Sequence, residues 1–280
     1  MDQVWFITGA GKGMGKALAL AALREKNKVV ITTHKDVDPY TLPEDSDNVL
    51  YITLDVAAPD ERLYCEAVTA AVRKFGRIDV LVNNAGHGRI TNFEETSEEN
   101  IRELFEVNLF GMMRVTRAVL PVMRKQKSGH IFNVSSGAGY SAGPAAYHTS
   151  KFAVTGFSTC LAFELAPFHI KVTNVVPGLT RTEFYGRERL PSEPDIPIAD
   201  YDFCRWQKEF IRLNSNHEQP GNPDKIARLI LAAAESKNPP LHLPVAADAV
   251  AVLDDLCGKL RADTDAWREA AFATAYEEPK

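Results

Sequence analysis

Residues 4–15 constrain this chain more than any other stretch. Val4 to Thr8 is a short apolar run ending in Gly9-Ala10-Gly11-Lys12-Gly13-Met14-Gly15, four glycines in seven positions. A helical pattern follows, with Met14, Ala17, Leu18, Ala21 and Ala22 spaced at three and four. Strand, glycine-rich turn and helix in that order aim backbone N–H groups and a helix N-terminus at one point, which makes a phosphate cradle. A G-x-G-x-x-G read from Gly9 needs glycine where Met14 stands, and fails. T-G-x-x-x-G-x-G fits, on Thr8, Gly9, Gly13 and Gly15.

The same alternation continues. Lys28 to Thr33 reads as a second strand, Val49 to Leu54 as a third, Asp60 to Phe75 as a helix and Ile78 to Val82 as a fourth strand. Asn83-Asn84-Ala85-Gly86 ends that strand in a tight turn. Ser97 caps the next helix, with Glu98 and Glu99 in its first turn. Its apolar stripe runs Ile101, Leu104, Phe105, Leu109, Met112, Thr116, Val119, Met123, and Asn108 falls on it. A buried amide needs hydrogen-bond partners. Asn108 therefore either satisfies a kink in its own helix or belongs to a polar network, and the network is favoured. His130 to Val134, Ile170 to Val176 and Leu241 to Pro244 are further strands, and residues 223–236 a helix. Residues 246–276 supply one or two closing helices carrying Trp267. The expectation is an α/β fold: one Rossmann-type domain over residues 1–280, a doubly wound parallel sheet with helices on both faces. Every motif above sits at the carboxyl end of a strand, where such sheets bind ligands.

The most chemically loaded stretch follows the fifth strand. Ser135-Ser136 stand at its tip, and a helix starting near Ala146 carries Tyr147 and Lys151, four apart and so on one face. A phenol beside an ammonium loses its proton more easily. With a hydroxyl to hold a carbonyl oxygen, this is equipment for interconverting carbonyl and alcohol, given a hydride source. At the end of the second strand, where dinucleotide sites place an acid on the ribose 2′-OH, stands Thr33, with His34, Lys35 and Lys12 nearby. That leans to NADP(H), with NAD(H) possible. Asp36 and Asp38 are rival acids further out.

Residues 1–182 form the cofactor-binding and catalytic core, and residues 221–280 the closing helices and last strand. Between them, 183–220 is rich in aromatics (Phe184, Tyr185, Tyr201, Phe203, Trp206, Phe210) and reads as a lid or pocket wall for the substrate. A net charge of −5 gives no electrostatic reason for a nucleic-acid or anionic-membrane partner. The cysteines (Cys65, Cys160, Cys204, Cys257) are scattered, fitting free thiols with no metal site. With no leader or long apolar run, the expected location is cytoplasmic.

As a set, T-G-x-x-x-G-x-G at 8–15, Asn83-Asn84-Ala85-Gly86, Asn108, Asn133-Val134-Ser135-Ser136, Tyr147-x-x-x-Lys151 and Pro177-Gly178 resemble the short-chain dehydrogenase/reductase family over roughly residues 3–182. The resemblance implies a catalytic tetrad. Tyr147 would be the acid/base and Ser136 the substrate-oxygen anchor. Lys151 would lower the phenol's pKa and hold the nicotinamide ribose, and Asn108 would hold a water in the proton relay. It also implies cofactor contacts from Gly9, Lys12, Gly13, Met14 and Gly15 at the phosphates, and Asp55 and Val56 at the adenine. Asn84, Ala85 and Gly86 would lie along the ribose, with Pro177, Gly178, Thr180 and Thr182 near the nicotinamide. A homodimer or homotetramer through helices 98–125 and 146–166 is implied too. One spacing departs from the pattern: Ser136 precedes Tyr147 by only eleven residues and Ser135 by twelve, shorter than in most relatives, so both serines stay open as the anchor. The rival reading from another class is a non-catalytic NADP(H) sensor of the same fold.

Overall fold

In the first strand, β1 (Val4–Ile7), Trp5 and Ile7 enter one hydrophobic core while Val4 and Phe6 enter the other. All four are buried, so the strand has no solvent face and belongs in the middle of a sheet covered on both sides. The computed structural model of the protein, which describes residues 2–34, 47–185, 193–204, 210 and 218–276, shows that sheet. Seven strands pair in parallel in the order β3-β2-β1-β4-β5-β6-β7, with β2 (Lys28–Thr33), β3 (Val49–Thr53), β4 (Val80–Asn83), β5 (Gly129–Val134), β6 (Ile170–Val176) and β7 (His242–Pro244). The order reverses between β1 and β4, and such a switch point opens a crevice at the carboxyl ends of those two strands.

Helices α1 (Gly13–Arg24) and α6 (Pro223–Glu235) cover one face through Leu18, Ala22, Ile226 and Ile230. The other face is covered by α2 (Glu61–Phe75), α4 (Met112–Gln126) and α5 (Ala145–Leu165), through residues such as Val68, Val115 and Leu161. Helix starts follow local chemistry. Asp60 caps α2, Ser97 caps α3 (Glu98–Phe105), and Asn222 caps α6 with Pro223 in its first turn. The closing segment is one helix, α7 (Ala247–Phe272), whose outer end exposes Trp267 to 72%.

Two local expectations are corrected. The fourth strand begins at Val80 rather than Ile78, because side chains intercept the ladder before it. The Gln126 amide takes both the N–H and the C=O of Ile78, and the Asp79 carboxylate takes the Val4 N–H. The long helix expected from Ser97 is broken between α3 and α4 by a wide π turn, Glu106–Gly111. A Cβ at Gly111 would lie 2.2 Å from the Val56 carbonyl oxygen, so glycine lets this turn press against the end of β3.

Where the strands end, three buried asparagines stand side by side in register: Asn83 on β4, Asn133 on β5 and Asn174 on β6. Asn83 Nδ2 donates to Asn133 Oδ1 (2.8 Å) and Thr116 Oγ1 (2.9 Å), and Asn133 Nδ2 donates to Ser158 Oγ (2.9 Å). This polar row ties α4 and α5 to the sheet directly beneath the candidate catalytic groups.

Candidate active site

The glycine turn and the turn after β4 are built into each other. Thr8 Oγ1 accepts the N–H groups of Asn84 and Ala85, both at 3.0 Å. Asn84 Nδ2 returns donors to the carbonyls of Thr8 (2.9 Å) and Gly9 (3.1 Å). Gly9 and Gly13 hold positive φ, +62° and +54°, where a side chain would be strained. A Cβ at Gly15 would sit 2.4 Å from Asn84 Nδ2, and one at Gly13 would sit 3.3 Å from Thr182 Cβ. Residues 8–15, 83–86 and 180–182 thus converge on one crevice at the switch point. Met14 packs half-buried on the core, and exposed Lys12 stands at the start of α1, whose first turn carries no acid to compete with a bound anion. His34 is exposed just past β2, and Lys35 lies outside the described residues. Asp55 Oδ1 takes the Ala57 N–H at 2.9 Å, while Val56 is buried. Open main-chain N–H groups, absent side chains and an uncompensated helix start suit a nicotinamide dinucleotide.

Tyr147 and Lys151 lie one turn apart on α5, with Lys151 Nζ 5.9 Å from the Tyr147 ring centroid and donating to the Val134 carbonyl at 3.2 Å. The hydroxyl of Ser136 accepts the Ala138 N–H at 3.1 Å and lies close enough to the Tyr147 phenol to draw its pKa down. The neighbouring serine does something else: buried Ser135 donates to the Lys151 carbonyl (3.0 Å) and pairs with Thr155 Oγ1 (3.1 Å), fastening α5 to β5. Successive residues of an extended strand end face opposite ways, and Ser136 faces the phenol.

Of the two readings of Asn108 the network holds, since its side-chain partners His87 and Ser150 lie outside its own helix. It sits in the π turn and is the hub of a network. Its Oδ1 accepts the His87 N–H (3.0 Å), and its Nδ2 donates to the His87 carbonyl (3.0 Å) and to Ser150 Oγ (3.1 Å). A Cβ at Gly86 would lie 3.0 Å from Asn108 Oδ1 and 3.5 Å from Lys151 Nζ, so glycine there lets main chain pass between the two.

The electrostatics reverse one expectation. Burial pushes the Tyr147 phenol up to about 12, opposed only in part by the nearby Ser136 hydroxyl, and burial pushes the Lys151 ammonium down to about 8. The ammonium lies under the ring rather than against the phenol oxygen, so in the free protein lost hydration outweighs its pull on the proton.

The chain matches the short chain dehydrogenase family over residues 3–192. It belongs to that family. A curated relative, oxidoreductase BOA17 of Botryotinia fuckeliana, is 37% identical over 281 residues, covering 98% of this chain and 100% of its own. The crystal structure of a short-chain dehydrogenase from Streptomyces avermitilis matches with a TM-score of 0.87 at 34% identity, over 99% of this chain and 100% of that one. ElxO with NADP bound matches at 29% identity and a TM-score of 0.73, over 90% and 100% of the two chains. This short-chain dehydrogenase is therefore an NAD(P)-dependent oxidoreductase.

The other wall of the dehydrogenase site follows β6. Pro177-Gly178-Leu179 is gripped by Asp248, in the first turn of α7, whose Oδ2 accepts the Leu179 N–H at 2.6 Å; a Cβ at Gly178 would collide with that carboxylate at 1.9 Å. The sequence reading missed Asp248, and its one signal was an acid at a helix start. The Thr180 hydroxyl is spent on the Gly178 carbonyl (3.1 Å), and Thr182 Oγ1 accepts the Phe184 N–H (3.3 Å). From Tyr147 a run of rings leads outward: Phe184 at 6.3 Å, then Tyr185 at 5.6 Å, then Phe210 at 6.4 Å, packed with Ile90. Further out, Asp195 pairs with Arg89 and accepts from Ser97 N (2.8 Å) and Asn100 Nδ2 (2.7 Å). Buried Glu95 takes the Ile198 N–H on its carboxylate (3.0 Å) and the Asp195 N–H on its carbonyl (2.9 Å). Trp206 and the Phe203 ring lie outside the described residues.

A separate hollow of about 600 Å³, lined by Arg124, Lys127, Phe168 and His169 among others, sits at the opposite end of the sheet, where β5 and β6 begin. Among the described residues no helix is long and apolar enough to cross a membrane, and no His/Cys/Asp/Glu cluster could hold a metal.

Proposed function

We propose that this dehydrogenase prefers NADP(H) and interconverts a carbonyl and an alcohol on a fairly apolar small molecule, with Tyr147 as proton donor and acceptor. The observation that carries the reading is Tyr147 standing one turn from Lys151, whose Nζ lies beneath the phenol ring, with Ser136 at the tip of β5 near enough to draw the phenol's pKa down. A carbonyl oxygen entering between serine and phenol meets two donors. When bound, the reduced nicotinamide supplies the hydride for the carbonyl carbon. Tyr147 gives its proton to the oxygen, and the Lys151 charge stabilises the phenolate left behind. Asn108 holds the His87 peptide from both sides and so fixes the main chain beside Lys151.

Preference for the 2′-phosphate rests on Thr33 standing where an acid would repel it, with exposed Lys12 and His34 at hand, and on the NADP held by ElxO. Segment 183–220 serves as the substrate wall, its aromatic run starting from Tyr147 itself. Assembly into a homodimer or homotetramer uses the helices of residues 98–125 and 146–166, whose surfaces expose Phe110 (46%), Phe152 (43%) and Phe163 (85%).

The test is consumption of NADPH and NADH with a panel of ketones, aldehydes and quinones, wild type beside Tyr147→Phe. Turnover with NADPH should drop by about 10²–10⁴-fold in the variant while NADPH binding persists. Turnover that survives in Tyr147→Phe would sink this mechanism.

A further inference from the structure

After Ser136, the candidate substrate anchor, the chain makes a single 3₁₀ turn, Gly137–Gly139. Ser136 is tied into that turn twice: its hydroxyl accepts the Ala138 N–H (3.1 Å) and its carbonyl the Gly139 N–H (2.9 Å). Main chain fastens the turn to the rest of the protein through Gly137 N–H on the Pro177 carbonyl (2.8 Å). Two glycines and an alanine offer no polar side chain to do more. The next residue is Tyr140, whose own N–H closes the turn on the Gly137 carbonyl (3.0 Å).

Tyr140 reaches two strands. Its Oη accepts from Asn174 Nδ2 on β6 (2.8 Å) and lies 2.6 Å from His242 Nδ1 on β7, with the two rings edge to face. Counting hydrogens fixes the donors. Asn174 Nδ2 has two, one on Tyr140 and one on Thr155 Oγ1 of α5 (3.2 Å). The single hydroxyl hydrogen of Tyr140 is then given to His242 Nδ1, which acts as an acceptor. Burial holds His242 below its ordinary pKa, in keeping with a neutral ring. On the other arm Ser135 spends its hydrogen on the Lys151 carbonyl (3.0 Å), so Thr155 donates to Ser135 (3.1 Å). One buried amide, Asn174, thus holds the serine turn through Tyr140 and α5 through Thr155. The serine turn carries Ser136, and α5 carries Tyr147 and Lys151.

Packing alone needs only a phenylalanine at 140; the hydroxyl is what joins the turn to the strands. We infer that Tyr140 is a positioning residue that sets Ser136 against Tyr147, and that it depends on His242 to accept its hydrogen. Without that acceptor a half-buried hydroxyl keeps a hydrogen with no partner, a cost that shifting the turn relieves. This rests on the carbonyl-reductase reading above.

The test compares wild type with Tyr140→Phe, His242→Leu and His242→Asn, the asparagine keeping an acceptor, Oδ1, in the place of the imidazole Nδ1. Steady-state constants with NADPH are measured on the panel of carbonyls, alongside NADPH binding and amide exchange across the serine turn. Tyr140→Phe and His242→Leu should lower kcat about tenfold and speed that exchange, with NADPH affinity unchanged. His242→Asn should keep wild-type values throughout. An asparagine variant as impaired as the leucine one, an unchanged kcat in both damaging variants, or NADPH binding weakened in step with kcat would overturn the inference. Absence of turnover in every form, with exchange faster in the same two variants alone, would overturn the reductase reading and leave Tyr140 as the anchor of the turn.

Discussion

The side of the crevice proposed for the nucleotide is held by main chain, and the side proposed for the substrate by side chains. On the first, Thr8 and Asn84 exchange hydrogen bonds with backbone groups, and Gly9, Gly15 and Gly86 stand where a Cβ would strike a neighbour. On the second, the anchors are Asp195 on Arg89, 106 residues apart in sequence, Glu95 on Ile198, and a run of packed rings. A wall made of backbone admits few residue types and one shape. A wall made of side chains can change its lining while keeping its anchors, which suits the part of an enzyme that selects among substrates.

If that contrast is right, damage on the two sides should read differently. The largest effect should come from Lys151→Met, which removes the charge facing the phenolate and should cost about 10²–10⁴-fold in kcat. The same change should raise thermal stability. The folded lysine titrates near 8 against an ordinary 10.5, so below pH 8 the wild type carries the full cost of a buried ammonium. That advantage of the methionine variant should fade as pH rises from 8 to 10.5, where the wild-type lysine becomes neutral in both states. In the wild type, kcat/KM for carbonyl reduction should fall above about pH 8, and a flat profile to pH 10 would contradict the requirement for charged Lys151.

Next in size is Gly15→Ala, whose Cβ would meet Asn84 Nδ2 at 2.4 Å. Overpacking there should cost about 1–3 kcal/mol of stability and abolish tight cofactor binding together, measured by thermal denaturation and NADPH titration. Loss of one without the other would mean the turn is not the rigid unit described. Asp195→Ala should instead leave cofactor affinity and kcat alone, raise the KM of an apolar ketone about tenfold, and speed amide exchange across residues 193–204. Weakened NADPH binding in that variant would erase the distinction between the walls. Smallest should be Lys12→Ala, an exposed charge, weakening NADPH by about three- to fivefold with NADH unaffected.

The sequence was legible where the fold makes demands on the backbone. Parallel strands buried on both faces read as apolar runs, and Ser97 caps its helix as its place in the sequence implies. Choices between adjacent side chains were not legible. Ser135 and Ser136 are the same residue type, and only the packing of α5 on β5 turns one toward Lys151's carbonyl and the other toward the phenol. The break at Glu106–Gly111 was legible only as one of two alternatives at Asn108, and the close approach of Gly111 to Val56 that accompanies it is a matter of packing rather than of local preference.

The sequence by itself therefore determined the doubly wound sheet, the family and the convergence of glycine turn, Asn84, Tyr147 and Lys151 at one edge. Each of these rests on short-range pattern or on fixed spacing. Only the tertiary structure decided that the phenol and ammonium are shifted by burial, that Asp248 holds the turn after β6, and that the Phe184 ring packs beside Tyr147. Burial and contacts between distant segments are properties of the packed chain, and no stretch of sequence carries them alone.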